Sequence, residues 1–275
     1  HPVRYPHRDH LRPQILPVNQ DVRQRFDAAA TTYRETALVQ EQLADQLAGQ
    51  LAQVVPHPVH RVLDAGSGTG LLTARLSCLF PEASLTALDL SLGMIEQGRQ
   101  RLDPSIQWQH EDLLHHRPSQ PYDLVAGSSS LHWIESPDTA ATRLHELLAP
   151  QGWLGQVIMV AGTLGELHRA RTRSLPGLPA RRPMADEHAW RDALARQGLI
   201  LRHEEIIVRT LFLPSASDVL RMLHRQGVTS GTLSRASRAL TRGELKRLCE
   251  TYEAECREDR GVPVTYRAWL VLAQR

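Results

Sequence analysis

The stretch VLDAGSGTG, residues 62–70, decides the fold. Three glycines alternate with small residues directly after an apolar run, which predicts a tight turn between a strand and a helix. A turn that binds the pyrophosphate of a dinucleotide has the spacing G-x-G-x-x-G, which would place its third glycine at position 71. Position 71 is Leu71 and the third glycine is Gly70, so the turn favours a nucleotide-like ligand other than a dinucleotide.

On both sides of this turn, short apolar strands alternate with amphipathic helices. This alternation is typical of parallel strands in a sheet that helices cover on both faces. We therefore predict an α/β, Rossmann-like fold with a mainly parallel seven-stranded sheet. The predicted strands are 61–65, 84–89, 106–110, 122–127, 153–160, 199–213 and one near the C-terminus, and the predicted helices between and after them are 71–80, 92–101, 139–148, 217–226 and 241–259.

The composition is that of a single globular domain, which we place at 21–275. Of the 275 residues, 41% are hydrophobic and 23% charged, which is ordinary for such a domain. N-terminal helices are predicted over 21–58 and a helical lid insertion over 163–198, after the fifth strand. Residues 1–20, rich in Pro, His and Arg, are expected to form a flexible leader.

Cysteine usage and hydropathy predict the compartment. The three cysteines include no C-x-x-C pair, which favours a reducing compartment without a disulfide framework. No apolar run reaches the roughly 18 residues of a membrane helix. We expect a cytoplasmic protein that does not insert into a membrane.

Charge is distributed unevenly although the formal net charge is only +2. The segment 163–240 contains thirteen arginines and seven acidic residues. Such a basic segment predicts an anionic partner.

Three aspartates stand at the ends of successive predicted strands near the glycine turn. Asp64 stands two residues before Gly66, where two phosphates would repel it but a cationic ammonium or sulfonium group would not. Asp89 ends the second strand, where an acid accepts hydrogen bonds from both ribose hydroxyls. Asp112, after the third strand, is placed to accept from an adenine amino group. S-adenosylmethionine carries all of these groups, and we predict it as the cofactor.

The D-x-G-x-G-x-G spacing, together with Asp89 and Asp112, resembles class I S-adenosylmethionine-dependent methyltransferases. The resemblance implies their Rossmann-like fold and a set of cofactor-binding residues: Gln40, Asp64, Gly66, Ser67, Gly68, Gly70, Asp89, Leu90, Met94, Asp112, Leu113 and Ser128. The crowded His110, Glu111, Asp112, His115 and His116 lack the spacing of a metal site. We expect no bound metal.

Other stretches resemble one family within this class, the malonyl-acyl-carrier-protein O-methyltransferases of pimeloyl and biotin synthesis. They are FDAAATTYRETALVQ (26–40), GTLGELHRA (162–170), LRMLHRQGVTS (220–230) and the C-terminal GVPVTY (261–266). The resemblance implies methylation of the free carboxylate of malonyl-acyl-carrier protein or malonyl-coenzyme A. It also implies that the carrier docks on the Arg-rich 163–240 segment, with Tyr33, Arg181, Arg182, His132 and Trp133 as candidate substrate-binding residues.

The sequence departs from the family mostly on the substrate side. The family's Tyr-Asp-x-His-Ala reads Tyr33-Arg34-Glu35-Thr36-Ala37, and its Gln-Trp reads His132-Trp133. No acid–base dyad is evident, which suits a carboxylate acceptor that is already ionised. Two alternatives stay open: a methyltransferase of a small molecule or natural product, and a non-catalytic assembly or scaffold protein with this fold. Aromatic content of 5% and the lack of an N/D-P-P-Y-type motif argue against nucleic acid as the substrate.

Overall fold

The three-dimensional structure is a computed structural model, which describes residues 23–30, 37–178, 183–226 and 240–275. Tyr33, Arg181 and Arg182 therefore lie outside the described residues, as do residues 1–22. No helix within the described ranges combines the length and the hydropathy needed to cross a bilayer.

The seven strands form one sheet in the order β3-β2-β1-β4-β5-β7-β6. Strands β1 to β5 are parallel, and β7 runs antiparallel between β5 and β6. This confirms the predicted Rossmann-like α/β fold with a mainly parallel sheet. The strands are β1 (Arg61–Ala65), β2 (Ser84–Asp89), β3 (Gln107–His110), β4 (Tyr122–Ser128), β5 (Leu148–Met159), β6 (Ile200–Leu213) and β7 (Val262–Gln274).

Helices cover both faces of the sheet. They are α1 (23–30), α2 (Leu38–Val54), α3 (Leu71–Leu79), α4 (Leu92–Arg99), α5 (Pro137–Leu147), α6 (Gly165–Ser174), α7 (Glu187–Arg196), α8 (Ala216–Arg225) and α9 (Arg242–Cys256), with a 3-10 turn at Leu131–Trp133. Serine, threonine or aspartate side chains cap α4, α5, α7, α8 and α9. Such caps satisfy backbone N–H groups that lack partners inside the helix.

Two hydrophobic clusters hold the layers together. One joins the sheet to α2, where Leu43, Leu47 and Leu51, four residues apart, are 0–1% exposed. The second lies on the opposite face and includes Leu144 of α5 and Trp190 of α7. Because helices cover both sheet faces, the central strands β1, β4 and β5 are largely buried and apolar.

Strand β5 begins earlier than the sequence predicts. The prediction starts at Trp153, whereas the strand starts at Leu148 and shifts register against β4 between Tyr122 and Leu124. Gln151 occupies the left-handed region with φ 63°, which is uncommon for a residue other than glycine. A polar, turn-like sequence thus lies inside β5. It interrupts the apolar strand pattern, so the sequence does not predict the strand residues before Trp153.

The segment inserted after β5 is attached to the sheet near the start of α7. Arg267 of β7 forms a bidentate ion pair with Glu187, with N···O distances of 2.7 and 2.8 Å. This pairing lowers the pKa of Glu187 to about 2. Next to it, the Ala161 N–H donates to the Ala185 carbonyl at 3.2 Å. These contacts fix where α7 begins.

Candidate functional site

The glycine turn between β1 and α3 uses left-handed backbone at all three glycines. Their φ angles are 80° at Gly66, 54° at Gly68 and 90° at Gly70, values that side chains with a Cβ disfavour. The N–H groups of Gly66 and Ser67 both donate to the Leu88 carbonyl, at 2.8 and 2.9 Å. The turn is therefore fastened to the end of β2, next to Asp89.

Asp89 organises this end of the sheet. One carboxylate oxygen accepts from the Gly68 N–H and the other from the Ser91 N–H, each at 2.8 Å. Burial raises the pKa of this carboxyl, while the two backbone hydrogen bonds lower it. Each oxygen keeps a second acceptor position, so Asp89 has capacity left to accept from two ligand hydroxyls.

A cavity of about 450 Å³ opens over the carboxyl ends of β1, β2 and β4. Ligand sites of open α/β sheets lie at this edge, and the volume falls within the usual range for small-molecule sites. The structure brings most of the predicted cofactor residues to its wall, along with one predicted substrate residue: Gln40, Gly66, Ser67, Gly68, Asp89, Leu90, Met94, Asp112, Leu113, Ser128 and Trp133.

Three other predicted residues do not line this cavity. A Cβ on Gly70 would approach Leu102 Cδ1 to 2.6 Å, so Gly70 faces the packed side of the turn. His132 lies beside the Trp133 ring, with 4.9 Å between ring centroids. Asp64 is 0% exposed beneath the turn, where the Thr73 hydroxyl donates to it at 2.6 Å. The carboxylate of Asp64 thus contacts α3, and any effect on a ligand's cation acts through the turn.

Several residues of the cavity wall were missed by the sequence reasoning. Phe26 of α1 packs edge-on against Trp133, with ring centroids 5.6 Å apart, and both line the cavity. Helix α1 is held there by Asp27, which accepts from the Ser91 hydroxyl at 2.6 Å and the Gly93 N–H at 2.9 Å. The pairing of Asp27 with an N-cap serine 64 residues away leaves no periodic signal in the sequence.

Of the three serines at the end of β4, only Ser128 was predicted from the sequence. Ser128, Ser129 and Ser130 all line the cavity, and Ser129 has φ 59°. The hydroxyls of Ser128 and Ser129 are buried without a hydrogen-bond partner among the described residues. The Ser130 hydroxyl donates to the Ala65 carbonyl at 2.7 Å and so attaches this loop to the glycine turn.

The histidines after β3 fix a loop of the cavity. His116 is 3% exposed, and its ring joins Glu111, at 2.7 Å, to the Tyr122 hydroxyl, at 2.9 Å. Glu111 and Asp112 line the cavity. Within the described ranges, no three His, Cys, Asp or Glu side chains gather in a way that suits a metal ion. His116 thus positions the loop that carries Asp112.

The cavity wall suits a ligand that combines positive charge, hydroxyls and apolar surface. Its described residues include four acids, Asp89, Glu111, Asp112 and Glu135, and none that is basic. Gln40 is 7% exposed, and its Oε1 has no hydrogen-bond partner in the described part of the chain. A buried acceptor without a hydrogen bond destabilises the folded protein. The Gln40 Oε1 is therefore suited to accept a hydrogen bond from a ligand. The residues present therefore fit S-adenosylmethionine.

Burial raises the pKa of Asp64 to about 7, while the Thr73 hydrogen bond lowers it and the Asp89 charge raises it. The folded state then binds a proton that the unfolded chain releases near the ordinary aspartate pKa of 3.8. The stabilisation that protonated Asp64 gives the folded state is complete below pH 3.8 and is lost as the pH rises through 7. We expect the free energy of unfolding of Asp64→Asn, relative to wild type, to rise by about 2 kcal/mol between roughly pH 5 and pH 8.

Urea unfolding of both proteins at the two pH values measures this difference. Asp103→Asn is the matched control, because Asp103 is exposed and its pKa is lowered from 3.8. That carboxyl is ionised throughout the range in both states, so its difference from wild type should not change. An Asp64→Asn curve parallel to that of the control would show that Asp64 ionises freely in the folded protein.

Comparisons with known proteins agree with this fold and site. The family described as "Methyltransferase domain" matches residues 62–152, which run from β1 into β5. Geranyl diphosphate C-methyltransferase from Streptomyces coelicolor A3(2), solved with S-adenosyl-L-homocysteine, superimposes with a TM-score of 0.55 at 14% identity. The match covers 94% of this chain and 98% of that one. The fold and site define a class I S-adenosylmethionine-dependent methyltransferase.

Sequence relatives identify one family within this class. A malonyl-[acyl-carrier protein] O-methyltransferase of Laribacter hongkongensis is 30% identical over 258 residues, covering 89% of this chain and 85% of the relative. The protein of that name from Hahella chejuensis is 31% identical, covering 92% of this chain and 90% of the relative. The chain belongs to the malonyl-[acyl-carrier protein] O-methyltransferase family.

Proposed function

We propose that this enzyme methylates the free carboxylate of a malonyl group carried by an acyl-carrier protein, as an entry step to pimeloyl and biotin synthesis. The observation that carries the proposal is the similarity to malonyl-[acyl-carrier protein] O-methyltransferases over nearly the whole chain, including the regions outside the cofactor half. The described cavity wall carries no histidine or lysine that could act as a general base, which agrees with an acceptor that is already ionised.

The cofactor, S-adenosylmethionine, is proposed to occupy the cavity between the glycine turn and Trp133. Asp89 would accept from the ribose hydroxyls, and Asp112 from the adenine amino group. Gln40, with its unpartnered Oε1, would accept from the ammonium group. Leu90, Met94 and Leu113 supply apolar surface to the same cavity. The N-terminus of α3, where Leu71 and Leu72 line the cavity, would face the cofactor's carboxylate.

When bound, the cofactor supplies a sulfonium-activated methyl group, so that a carboxylate oxygen forms a C–O bond as the C–S bond breaks. The protein's contribution is orientation and the exclusion of water, not proton transfer. Phe26 and Trp133 cover the cavity with aromatic surface. His132 beside Trp133 would border the acceptor.

Holding the acceptor's negative charge requires a basic residue from elsewhere. The described wall of the cavity is acidic, so a carboxylate entering alone would be repelled. We propose that Arg181 and Arg182, in the lid insertion 163–198, orient the malonyl carboxylate, since guanidinium matches carboxylate geometry. Tyr33, in the N-terminal region, is proposed to contact the same malonyl group.

The Arg-rich 163–240 segment is the proposed docking surface for the carrier. Some of its charge is already neutralised within the protein. Ion pairs of 2.6–2.8 Å link Arg173 to Glu255, Arg191 to Glu204, Arg196 to Asp138 and Arg221 to Asp218. Exposed pairs of this kind contribute little to stability and can exchange partners. Docking on them would speed association and make the rate sensitive to salt.

The test is to incubate the protein with radiolabelled S-adenosylmethionine and one acceptor at a time: malonyl-carrier protein, malonyl-coenzyme A or free malonate. We expect a methyl ester on the carrier-bound group, with kcat/KM at least about tenfold above that for free malonate. The carrier reaction should slow as salt rises, whereas the reaction of free malonate should not.

Two outcomes would contradict the proposal. Equal rates for free and carrier-bound acids, without salt dependence, would favour a methyltransferase of small molecules. No ester, with no heat of binding for S-adenosylmethionine at about millimolar concentration, would favour a scaffold protein. Calorimetry therefore separates loss of the reaction from loss of the cofactor site.

A further inference from the structure

Strand β6 forms an exposed border of the sheet. It is the last strand in the order β3-β2-β1-β4-β5-β7-β6 and runs for 14 residues. One edge pairs with β7, and no strand of the described chain pairs with the other edge. Two large apolar side chains near its middle are exposed, Ile206 at 40% and Val208 at 51%. Natural proteins usually protect long edge strands with charges, bulges or short length.

The two faces of β6 differ around Ile207. Ile206 and Val208 project to one face, because side chains alternate along a strand. Glu205 and Arg209 project to the other face, where both hydrogen-bond the Gln46 side chain of α2 at 2.9 Å. Gln46 thus holds an acid and a base symmetrically about the buried Ile207, which is 3% exposed.

This arrangement is complementary to itself. If two copies of β6 pair antiparallel with Ile207 on the two-fold axis, Glu205 of each lies opposite Arg209 of the other. On the other face, Ile206 of each copy lies opposite Val208 of the other. Directly opposite side chains in an antiparallel pair have Cβ atoms roughly 5 Å apart, so both pairs would be in contact.

Neighbouring registers lose this match. If one strand slides by two residues relative to the other, Arg209 lies opposite His203 in one direction and opposite Ile207 in the other. Only the register centred on Ile207 pairs both charges and both apolar side chains. The bulge between Leu201 and His203 ends the regular strand on one side and limits the pairing to about residues 203–211.

We propose that the protein forms a two-fold symmetric dimer in which the β6 strands of two copies pair antiparallel about Ile207, joining the two sheets into one. Such an interface is isologous, since the same surface is used twice. None of the described residues that line the 450 Å³ cavity belongs to β6, so the strand pairing uses no residue of the cavity wall.

Charge exchange at Glu205 and Arg209 tests the register. Glu205→Arg alone places arginines opposite each other in a homodimer, and Arg209→Glu alone places glutamates opposite each other. We expect each single variant to raise the dimer dissociation constant at least about tenfold. The double variant Glu205→Arg/Arg209→Glu should restore dimerisation. An equimolar mixture of the two single variants should form the heterodimer, because every opposite pair in it has opposite charge.

Sedimentation velocity over a concentration series measures these constants, with cofactor binding by calorimetry as the check that each variant is folded. Val208→Lys, which places a charge opposite Ile206, should also dissociate the dimer. A wild-type protein that is monomeric up to about millimolar concentration would overturn the proposal. A dimer that none of these substitutions weakens would also overturn it, because it would use another surface.

Discussion

Gly66→Ala is expected to destabilise the enzyme by about 3 kcal/mol or more and to abolish measurable cofactor binding. Gly66 has φ 80°, and a Cβ there would stand 2.3 Å from the Ser130 Cβ and 2.7 Å from its hydroxyl. The nearest atom is next to the Ser130 backbone, not at the end of a flexible chain. The turn must therefore move, and with it the part of the cavity wall that Gly66, Ser67 and Gly68 form. Urea unfolding and titration with S-adenosylhomocysteine measure the two effects.

Gly68→Ala is the matched control for unfolding. Gly68 has φ 54°, and a Cβ added there would have no neighbouring atom within 4 Å. The variant therefore carries backbone strain without the clash, at a cost of about 1 kcal/mol. Adding Ser130→Gly to Gly66→Ala removes the opposing Cβ and should recover part of the lost stability. Equal destabilisation by Gly66→Ala and Gly68→Ala would show that strain alone explains these glycines.

The central half of the fold could be predicted from the sequence because its signals are local. The strands at 61–65 and 84–89 were predicted with the bounds that the structure shows. Each is a short apolar run that ends at a glycine turn or an aspartate. The glycine spacing and Asp89 were found for the same reason, since a βα turn places its functional atoms within a few residues of the strand end.

The rest of the cavity wall depends on contacts that no local pattern encodes. Phe26 reaches the cavity only because Asp27 binds the N-terminus of α4. Asp64 fits the motif, but Thr73, nine residues away, takes its carboxylate out of the cavity. In both cases hydrogen bonds to another helix decide whether a side chain reaches the cavity. Spacing within a motif does not contain that information.

Asp89→Ala is expected to weaken binding of S-adenosylmethionine and S-adenosylhomocysteine about a hundredfold, because it removes a charged acceptor from two buried hydroxyls. It also leaves the Gly68 and Ser91 N–H groups without the acceptor they use at 2.8 Å. The loss of binding could then reflect a disordered turn instead of a missing ligand contact. Calorimetric titration of the variant needs a control that loses the same kind of backbone contact elsewhere.

Asp123→Ala provides that control. Asp123 accepts from the N–H groups of His60 and Arg61, at 2.8 and 2.9 Å, where β1 begins. This end of the sheet lies opposite the cavity, since β1 enters the glycine turn at its other end. The variant should lose stability by an amount similar to Asp89→Ala but bind the cofactor as the wild type does. Unchanged binding by Asp89→Ala would place the ribose elsewhere, and equal weakening by both would mean that sheet stability, not Asp89, controls the site.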